Sequence, residues 1–377
     1  MKVLFTANIP SPYRTAFFNE LGKRCDLTVL YERESDRSRN KAWTGEEAVN
    51  YRAVFLKGLT YSEADAFCPG VVKYLDRDFD IIVIALYSSL TGMYAIRHLY
   101  SRGRSFILST DGGIPGSGRG FKEGVKRYFI SKASAWMSTG KLCDRYLMTY
   151  GAKRDLIFRY PFSSVKAGDL PDSPPSPSEK AGARERLGIT EEKVVLSVGQ
   201  FIHRKGFDVL EEAVPLMRER YPDTKESTGF YVVGGNASDG GGSEHGPGSR
   251  GSRDPLNRRP FAGKEKLRDW YTASDLFVLP TREDIWGLVV NEAMAFGLPV
   301  ITTDRCGSGL EMINDDNGVI VPVEDRAALA DAMGRALSGE TSLSPEAALE
   351  TARRYTLETM ADRHMEIFEK FGGLVKG

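Results

Sequence analysis

Between Val194 and Arg220 the chain reads VVLSVGQFIHRKGFDVLEEAVPLMRER. A short apolar run leads into a turn bounded by Gly199 and Gly206, and residues at helical spacing follow. Glycines permit a tight turn, and the start of a helix offers free backbone N–H groups with positive partial charge. Because Arg204 and Lys205 lie in this turn without an acidic residue beside them, the segment predicts a diphosphate cradle. A helix start with two solvated basic residues is the alternative.

Strand and helix patterns alternate on both sides of this segment. The apolar runs Lys2–Ala7 and Leu276–Leu279 are each followed by a helical pattern, and Asp26–Tyr31 is a further predicted strand. Such alternation predicts parallel sheets covered by helices on both faces. A chain of 377 residues suits two domains of roughly 100–200 residues each. The predicted fold is therefore α/β, with two doubly wound Rossmann-like domains facing across a cleft that holds the ligand.

Composition places the domain boundary. Gly168–Ser178 is rich in Pro, Ser and Asp and has no apolar period, which is typical of a linker. We predict an N-terminal domain over 1–167, a linker over 168–190, and a C-terminal domain over 191–344. Helices over 345–377 are expected to pack back toward the N-terminal domain. Segment 234–251 holds 8 glycines in 18 residues and is expected to be disordered.

Charge and composition exclude several classes of protein. Lys plus Arg equals Asp plus Glu at 51 each, so no overall field favours nucleic acid. The four cysteines and four histidines are scattered without metal-ligand spacing. No apolar run reaches the roughly 18 residues of a membrane span, and Pro10 and Pro12 interrupt the first apolar run, unlike a signal peptide. We predict a cytoplasmic protein without metal or cofactor.

Basic charge is concentrated in part of the first half. Residues 101–170 carry 13 Lys or Arg against 5 Asp or Glu. Within Arg119–Lys132, apolar residues alternate at helical spacing with four basic ones, which is typical of a basic amphipathic surface. The basic residues are Lys122, Lys126, Arg127 and Lys132. This pattern favours peripheral contact with an anionic membrane, on the inner face of the plasma membrane. A surface helix with its apolar side in the core is the alternative.

A second candidate site, Thr281–Ala295, reads TREDIWGLVVNEAMA. Asp284 lies in the loop after a predicted strand, and Glu292 lies in the following helix. Gly287 leaves the backbone N–H groups at that helix start, from Leu288 onward, open to a ligand. Carboxylates commonly anchor the hydroxyls of a ribose, so this pattern predicts that both carboxylates face one ligand. A structural role for Glu292 is the alternative.

Three segments of the second half carry a family resemblance: SVGQFIHRKGFDVL, ASDLFVLPTREDIWGLVVNEAMAFGLPVITT and NGVIVPVEDRAALADAM. In this order and spacing, the chain resembles the retaining glycosyltransferases of family 4. NIPSPYRTAFFNELGKRCDLTVLYE and STDGGIPGSGRGFKEGVKRYFISKASAWMSTG are similar to the N-terminal domain of bacterial surface-polysaccharide members. The resemblance covers nearly the whole chain. It implies the GT-B fold, with 1–167 as the acceptor-side domain and 191–344 as the nucleotide-sugar-binding domain. It also implies transfer of a sugar from a UDP- or GDP-sugar to a saccharide or lipid-linked saccharide.

The resemblance also implies residue roles for the donor phosphates. Lys205 matches the family lysine that binds the diphosphate, in the turn that Gly199 opens. Gln200 stands where arginine is commoner, and Arg204 would supply the missing charge. Fixed cations there would stabilise the leaving diphosphate in place of Mg²⁺.

Further roles fall on acidic residues. Glu292 matches the glutamate expected at the ribose, and Asp284 matches the one expected near the transferred sugar, with Glu283 as a substitute. Asp111, which follows a strand in the first half, falls near where many members place a histidine that contacts the donor sugar. An ordinary Asp-Gly turn is the alternative for Asp111. The base contact would fall near Arg259.

Two other functions stay open at this point. The first is a sugar-nucleotide epimerase on the same fold, which would need acid and base groups around the sugar. The second is a non-catalytic sugar-nucleotide-binding protein, an idea favoured by the departures at Gln200 and Asp284.

Overall fold

A computed structural model describes residues 1–34, 47–61, 66–113, 115, 120–224, 227–235 and 255–376. They form two compact units: Met1–Lys166 with Tyr355–Gly377 make unit 1, and Ala167–Arg354 make unit 2. Apart from Gly234 and Gly235, the glycine-rich segment 234–251 lies outside the described residues. No helix in the described ranges is long and apolar enough to cross a bilayer.

The bounds of the strands and helices are as follows. The strands are β1 (Lys2–Ala7), β2 (Asp26–Tyr31), β3 (Arg52–Phe55), β4 (Leu59–Thr60), β5 (Ala66–Phe67), β6 (Ile81–Ile84), β7 (Ile107–Ser109), β8 (Ala135–Ser138), β9 (Ile157–Arg159), β10 (Lys193–Val198), β11 (Thr228–Val233), β12 (Asn257–Arg259), β13 (Leu276–Leu279), β14 (Val300–Thr303) and β15 (Gly318–Val321). The helices are α1 (Pro12–Gly22), α2 (Val72–Leu75), α3 (Leu90–Ser101), α4 (Phe121–Ile130), α5 (Lys141–Thr149), α6 (Pro177–Leu187), α7 (Phe207–Arg220), α8 (Lys264–Ala273), α9 (Leu288–Ala295), α10 (Gly307–Met312), α11 (Arg326–Ser338), α12 (Pro345–Arg353) and α13 (Leu357–Lys376).

Each unit is built on a parallel sheet. Among the described residues, unit 1 has seven strands in the order β3-β2-β1-β6-β7-β8-β9, beside a small β4-β5 ribbon, and unit 2 has six in the order β12-β11-β10-β13-β14-β15. Central strands such as β6 and β13 are buried along their whole length, because helices cover both faces of a parallel sheet. The predicted α/β class with two doubly wound sheets is confirmed.

The strand orders fix where ligands can bind. In unit 1 the chain winds outward in opposite directions from β1 and β6, and in unit 2 it does so from β10 and β13. Loops that leave the carboxyl ends of two such strands diverge, so a crevice opens between them. Each unit therefore has one such crevice among its described strands.

The predicted linker 168–190 differs from the structure, because it contains α6. Ser176 accepts a hydrogen bond from the backbone N–H of Glu179, whose side chain bonds back to Ser176, and Gly188 ends the helix at φ +67°. Such a capping box satisfies two backbone N–H groups at a helix start. The composition of Gly168–Ser178 obscures this signal. The C-terminal helices also divide between the units, with α12 in unit 2 and α13 in unit 1.

Candidate functional site

The two motifs of the second half meet at the crevice of unit 2. Lys205 follows β10, Asp284 follows β13, and Nζ of Lys205 lies 2.6 Å from Oδ2 of Asp284. Nη1 of Arg204 lies 3.5 Å from the other oxygen of this carboxylate and donates to the Glu283 carbonyl at 2.7 Å. The Lys205 and Asp284 side chains are only 11% and 12% exposed. The structure thus brings together four residues that the sequence selects separately.

Two glycines shape the loop that presents the lysine. Gly206 has φ +69°, and a Cβ there would lie 2.0 Å from the Pro280 carbonyl oxygen, so a side chain does not fit. A Cβ on Gly199 would lie 3.3 Å from Cε of Lys205. The lysine chain therefore passes close over Gly199 toward the acidic loop. Gln200, beside it, is exposed.

Arg282 fastens the two loops together, a role that the sequence did not reveal. Its backbone N–H donates to the Arg204 carbonyl at 2.9 Å, and its Nη1 donates to the His203 carbonyl at 2.8 Å. Both Nη atoms also donate to Asp208, at 2.8 and 2.7 Å, and these hydrogen bonds lower the pKa of that carboxyl. Nε donates to Glu324 at 2.7 Å. Arg282 belongs to the quoted motif, but its partners are distant in sequence.

The start of α9 lies in the same acidic loop. Gly287 has φ +92°, and a Cβ there would lie 3.1 Å from Sγ of Cys306 and 3.2 Å from Oγ of Ser308. Burial and then the nearby Asp284 raise the pKa of the Cys306 thiol. The N–H of Val290 donates to the Gly287 carbonyl at 2.9 Å. The N–H groups of Leu288 and Val289 precede the first intrahelical bond, and the start of a helix favours an anion. Glycine is thus required where the chain turns into α9.

Glu292 has a partner that the sequence did not predict. The Tyr271 hydroxyl, from α8, donates to Oε2 of Glu292 at 3.0 Å. Burial and then Glu292 raise the pKa of Tyr271 well above its usual value. The Tyr271 ring stacks on Phe296, with ring centroids 5.4 Å apart. Glu292 is therefore held in place by a buried tyrosine.

The predicted base-contact region lies beside the lysine turn. A Cβ on Gly234, at the end of β11, would lie 1.7 Å from the Gly199 carbonyl oxygen. The N–H of Gly234 donates to the Arg259 carbonyl at 3.0 Å, and the Arg259 guanidinium lies 5.5 Å from the centre of the Tyr231 ring. Phe261 follows with its ring half exposed. A cation, Arg259, and an aromatic ring, Phe261, thus lie at the end of the edge strand β12.

Asp111 lies in unit 1 and pairs with a residue that the sequence did not select. Nη2 of Arg14 donates to Oδ2 of Asp111 at 3.0 Å, and Nε of Arg14 donates to the Tyr13 hydroxyl at 3.1 Å. Burial disfavours the Arg14 cation, but Tyr13 and Asp111 outweigh it and raise the pKa of Arg14. Gly112, which follows, has φ +98°, and its N–H donates to Oγ1 of Thr110 at 3.0 Å. The Asp111 carboxylate thus already has a cationic partner.

The crevice of unit 2 is suited to phosphate chemistry. Lys205, Arg204 and the first N–H groups of α9 are all donors, and phosphate oxygens accept strong hydrogen bonds from such groups. Asp284 holds Lys205 in a defined position, and a diphosphate would compete with Asp284 for that cation. Across the described residues, no group of three His, Cys, Asp or Glu side chains is placed to hold a metal ion.

Comparison with known proteins agrees with this chemistry. Residues 192–339 match the family described as glycosyl transferases group 1. Over 165 residues the chain is 32% identical to the D-inositol 3-phosphate glycosyltransferase of Streptomyces griseus subsp. griseus, covering 42% of this chain and 35% of the relative. It is 27% identical over 198 residues to the alpha-D-kanosaminyltransferase of Streptomyces kanamyceticus, covering 52% and 50%. The chain thus spans about a third to a half of the length of these relatives.

Solved structures match over nearly the whole chain. Anabaena Alr3699/HepE, in complex with UDP-glucose, superposes with a TM-score of 0.69 at 16% identity, covering 99% of this chain and 100% of that one. The family resemblance and the GT-B fold predicted from the sequence are confirmed by these matches. The segment 192–339 that matches the glycosyl transferases group 1 family contains both motifs that form the crevice of unit 2.

Proposed function

We propose that this protein is a retaining glycosyltransferase that moves a sugar from a nucleotide-diphosphate sugar to a saccharide or lipid-linked saccharide. One observation carries the proposal: the buried Lys205–Asp284 pair, with Arg204 beside it, lies at the crevice of the unit that matches the family. Paired charges held away from water are expensive to build, and this pair lies at the place where doubly wound sheets bind ligands.

The donor diphosphate would lie on Lys205 and Arg204, beside the start of α9. The Anabaena structures hold UDP with glucose, or UDP-glucose, which makes UDP-glucose the first donor to test here. As the sugar departs, negative charge grows on the diphosphate. Fixed cations and N–H donors stabilise that charge more in the transition state than in the ground state. Asp284, held by Lys205, would then lie at the sugar, and Glu292, held by Tyr271, at the ribose.

One incubation distinguishes this proposal from its rivals. The protein is mixed with labelled UDP-sugars and GDP-sugars, with and without a lipid-linked saccharide extract. Transfer to the extract, or slow hydrolysis without it, supports a transferase. Formation of an epimer would identify an epimerase, and binding without turnover would identify a non-catalytic sugar-nucleotide-binding protein.

We also propose that α4 contacts an anionic membrane on the cytoplasmic side. Phe121 is 87% exposed, an unusual position for a large apolar ring. Nζ of Lys132 lies 4.1 Å from the centre of the Tyr100 ring and 5.0 Å from that of Tyr128, and both rings are about half exposed. Exposed aromatic rings mixed with basic groups suit the interface between water and lipid.

Fewer basic side chains are available for this contact than the sequence suggests. Nζ of Lys126 pairs with Glu123 at 3.1 Å and lies 5.3 Å from the centre of the Tyr150 ring. Lys126 is therefore engaged within the protein, whereas Lys122 and Arg127 are exposed. We therefore leave Lys126 out of the proposed membrane contact.

Liposome flotation tests this contact. Lys122→Ser with Arg127→Ser should weaken binding to anionic vesicles, since each basic residue near such a surface contributes about 1 kcal/mol. Lys57→Ser with Lys73→Ser removes the same charge from exposed positions elsewhere in unit 1 and should bind as the unsubstituted protein does. Equal flotation of both double variants, or equal partition into neutral vesicles, would contradict the proposal.

A further inference from the structure

Arg282 lies in the second motif, yet the protein itself occupies its guanidinium. The side chain is 16% exposed, and each of its nitrogens donates a hydrogen bond: Nε to Glu324, Nη1 to the His203 carbonyl and to Asp208, and Nη2 to Asp208. The two carboxylate side chains lie toward the solvent, 58% and 62% exposed. A guanidinium held in this way has little freedom to bind a ligand. Arg282 is therefore suited to act through the residues that it holds.

Glu324 has a backbone conformation that favours glycine. Its φ is +62°, and within the described ranges no other residue besides glycine has a positive φ. The strain of such a residue persists only where the surrounding structure holds it in place. The carboxylate is what glutamate has here and glycine lacks, and its Oε1 accepts the hydrogen bond from Nε of Arg282 at 2.7 Å. The contact with Arg282 thus gives a physical reason for a glutamate at this strained position.

The loop after β13 holds the turn that carries Lys205 on both sides of the lysine. Before the lysine, the His203 carbonyl accepts from Nη1 of Arg282 at 2.8 Å, and the Arg204 carbonyl accepts from the backbone N–H of Arg282 at 2.9 Å. After the lysine, Asp208 lies in the first turn of α7 and binds both Nη atoms of Arg282. One arginine therefore fixes the backbone from which the Lys205 side chain extends.

We propose that Arg282 is a positioning residue for the donor diphosphate: it sets the place of Lys205 and does not touch the donor. Asp208 and Glu324 hold the guanidinium in place for this role, which rests on the proposed transferase function because that function supplies the diphosphate. The fork of an arginine reaches a carbonyl and two carboxylates at once, whereas the single ammonium group of a lysine cannot hold that geometry. Arg282→Lys should therefore keep the charge but lose the positioning.

The two carboxylates distinguish positioning from direct binding. If Arg282 bound the donor itself, Asp208→Asn or Glu324→Gln would free the guanidinium, and donor binding would stay equal or become tighter. If Arg282 acts through the turn, the same substitutions weaken donor binding.

Glu324→Gly separates positioning from a purely structural role. Glycine adopts this φ without strain, and an ion pair with an exposed carboxylate contributes little to stability. Glu324→Gly should thus melt no earlier than the unsubstituted protein and still bind the donor less tightly. A residue that only stabilised the fold would instead change binding in step with the melting temperature.

Equilibrium binding of UDP-glucose and GDP-mannose to the whole chain, beside melting curves, tests these expectations. The more tightly bound of the two should bind at least about tenfold more weakly to folded Arg282→Lys, and about threefold more weakly to Asp208→Asn and to Glu324→Gly. Arg326→Lys is the matched control and should leave binding unchanged. Arg326 pairs with Glu212 at 2.6 Å and so joins α11 to α7, with both side chains more than half exposed.

Reductive methylation with formaldehyde and cyanoborohydride, read by peptide mass spectrometry, reports on Lys205 without a donor. The Lys205 side chain is only 11% exposed and its ammonium is paired, so it should react slowly. Asp208→Asn and Glu324→Gly should speed its modification by at least about fivefold, because the turn opens more often. Lys180, which is 23% exposed and pairs with Asp275 elsewhere in unit 2, should react at an unchanged rate.

Three results would overturn the inference: Asp208→Asn or Glu324→Gln binds the donor at least as tightly as the unsubstituted protein, binding in every variant follows the melting temperature, or Lys180 and Lys205 are modified faster to the same extent. If Arg282→Lys does not fold, Glu324→Gly decides between these outcomes. If the unsubstituted protein binds neither nucleotide sugar, the proposed function alone fails, because lysine modification still shows whether Arg282 and its partners hold the turn.

Discussion

Lys205 and Asp284 lie 79 residues apart in the chain, yet Nζ and Oδ2 lie 2.6 Å apart in the crevice of unit 2. Neither side chain is more than 12% exposed. An ion pair with so little access to water is sensitive to the loss of either partner, because the remaining charge is then buried alone. The pair therefore links the stability of unit 2 to the site proposed for the donor.

A double-mutant cycle measures that link. Lys205→Met and Asp284→Leu should each destabilise unit 2, by about 3 kcal/mol or somewhat less, since Arg204 partly compensates Asp284. The double variant should be less destabilised than the sum of the two, by about 1–3 kcal/mol. Denaturant unfolding of the four proteins gives these values. Additive effects, within about 0.5 kcal/mol, would show that the two side chains do not interact appreciably.

Two glycines allow the cost of a strained backbone to be measured separately from the effect of moving the turn that carries Lys205. Gly206 and Gly188 have nearly the same φ, +69° and +67°, but only Gly206 has a backbone atom, the Pro280 carbonyl oxygen, within 4 Å of an added Cβ. Alanine in this conformation costs about 1–2 kcal/mol by itself. Gly188→Ala should show only that cost and bind UDP-glucose normally. Gly206→Ala should melt earlier and lose UDP-glucose binding, because the turn that carries Lys205 must move. Similar losses in the two variants would argue against a special role for this turn.

The two carboxylates of the second motif should differ in their kinetics. Glu292→Gln keeps an acceptor for Tyr271 but loses the charge. The free energy of donor binding should weaken by about 1 kcal/mol or more, and the donor KM should rise accordingly. Asp284→Asn should lower kcat instead, because its proposed contact is with the sugar that changes in the transition state. Steady-state kinetics beside melting curves decides this. Early melting with normal turnover per folded molecule, in both variants, would make these carboxylates structural.

The buried imidazole of α13 predicts a pH dependence in unit 1. His364 packs against Phe17 and Tyr160, and burial lowers its pKa from 6.5 to about 3. Between these values the unfolded chain binds the extra proton, so this part of the stability is complete above about pH 6.5 and falls as the pH drops toward 3. From pH 7 to pH 5 the loss should be about 2 kcal/mol. His364→Phe should reduce this pH dependence of hydrogen exchange in α13; an unchanged slope would contradict the assignment.

Much of the fold could be predicted from local sequence. β1, β2 and β13 have the predicted bounds, because each is a clear apolar run with turn residues at its ends. β12 was missed because Asn257–Arg259 is polar and becomes a strand only by pairing with β11. Strand character that arises from a neighbour leaves no local pattern.

The site was predictable only as separate parts. Each motif can be recognised from glycines and charged residues that lie within a few positions of one another, as at Lys205 and Asp284. Three contacts depend on tertiary packing between distant segments: the Lys205–Asp284 pair, the hydrogen bond from Arg282 to the lysine loop, and the Arg14–Asp111 pair. Local spacing carries no information on such contacts, so neither these partners nor the tyrosine beside Glu292 could be derived from it.

The donor site proposed for the crevice of unit 2 depends above all on Lys205, which would bind the diphosphate of a nucleotide-diphosphate sugar. The most direct test is the turnover of labelled UDP-glucose and GDP-mannose by the unsubstituted protein, Lys205→Ala and the exposed control Lys264→Ala. Losing one charge-assisted phosphate contact should cost about 1.5–3 kcal/mol, a fall of at least about tenfold in kcat/KM. Lys205→Ala should show this loss in the fraction that remains folded, and the control should turn over normally. Equal turnover by all three folded proteins would contradict it.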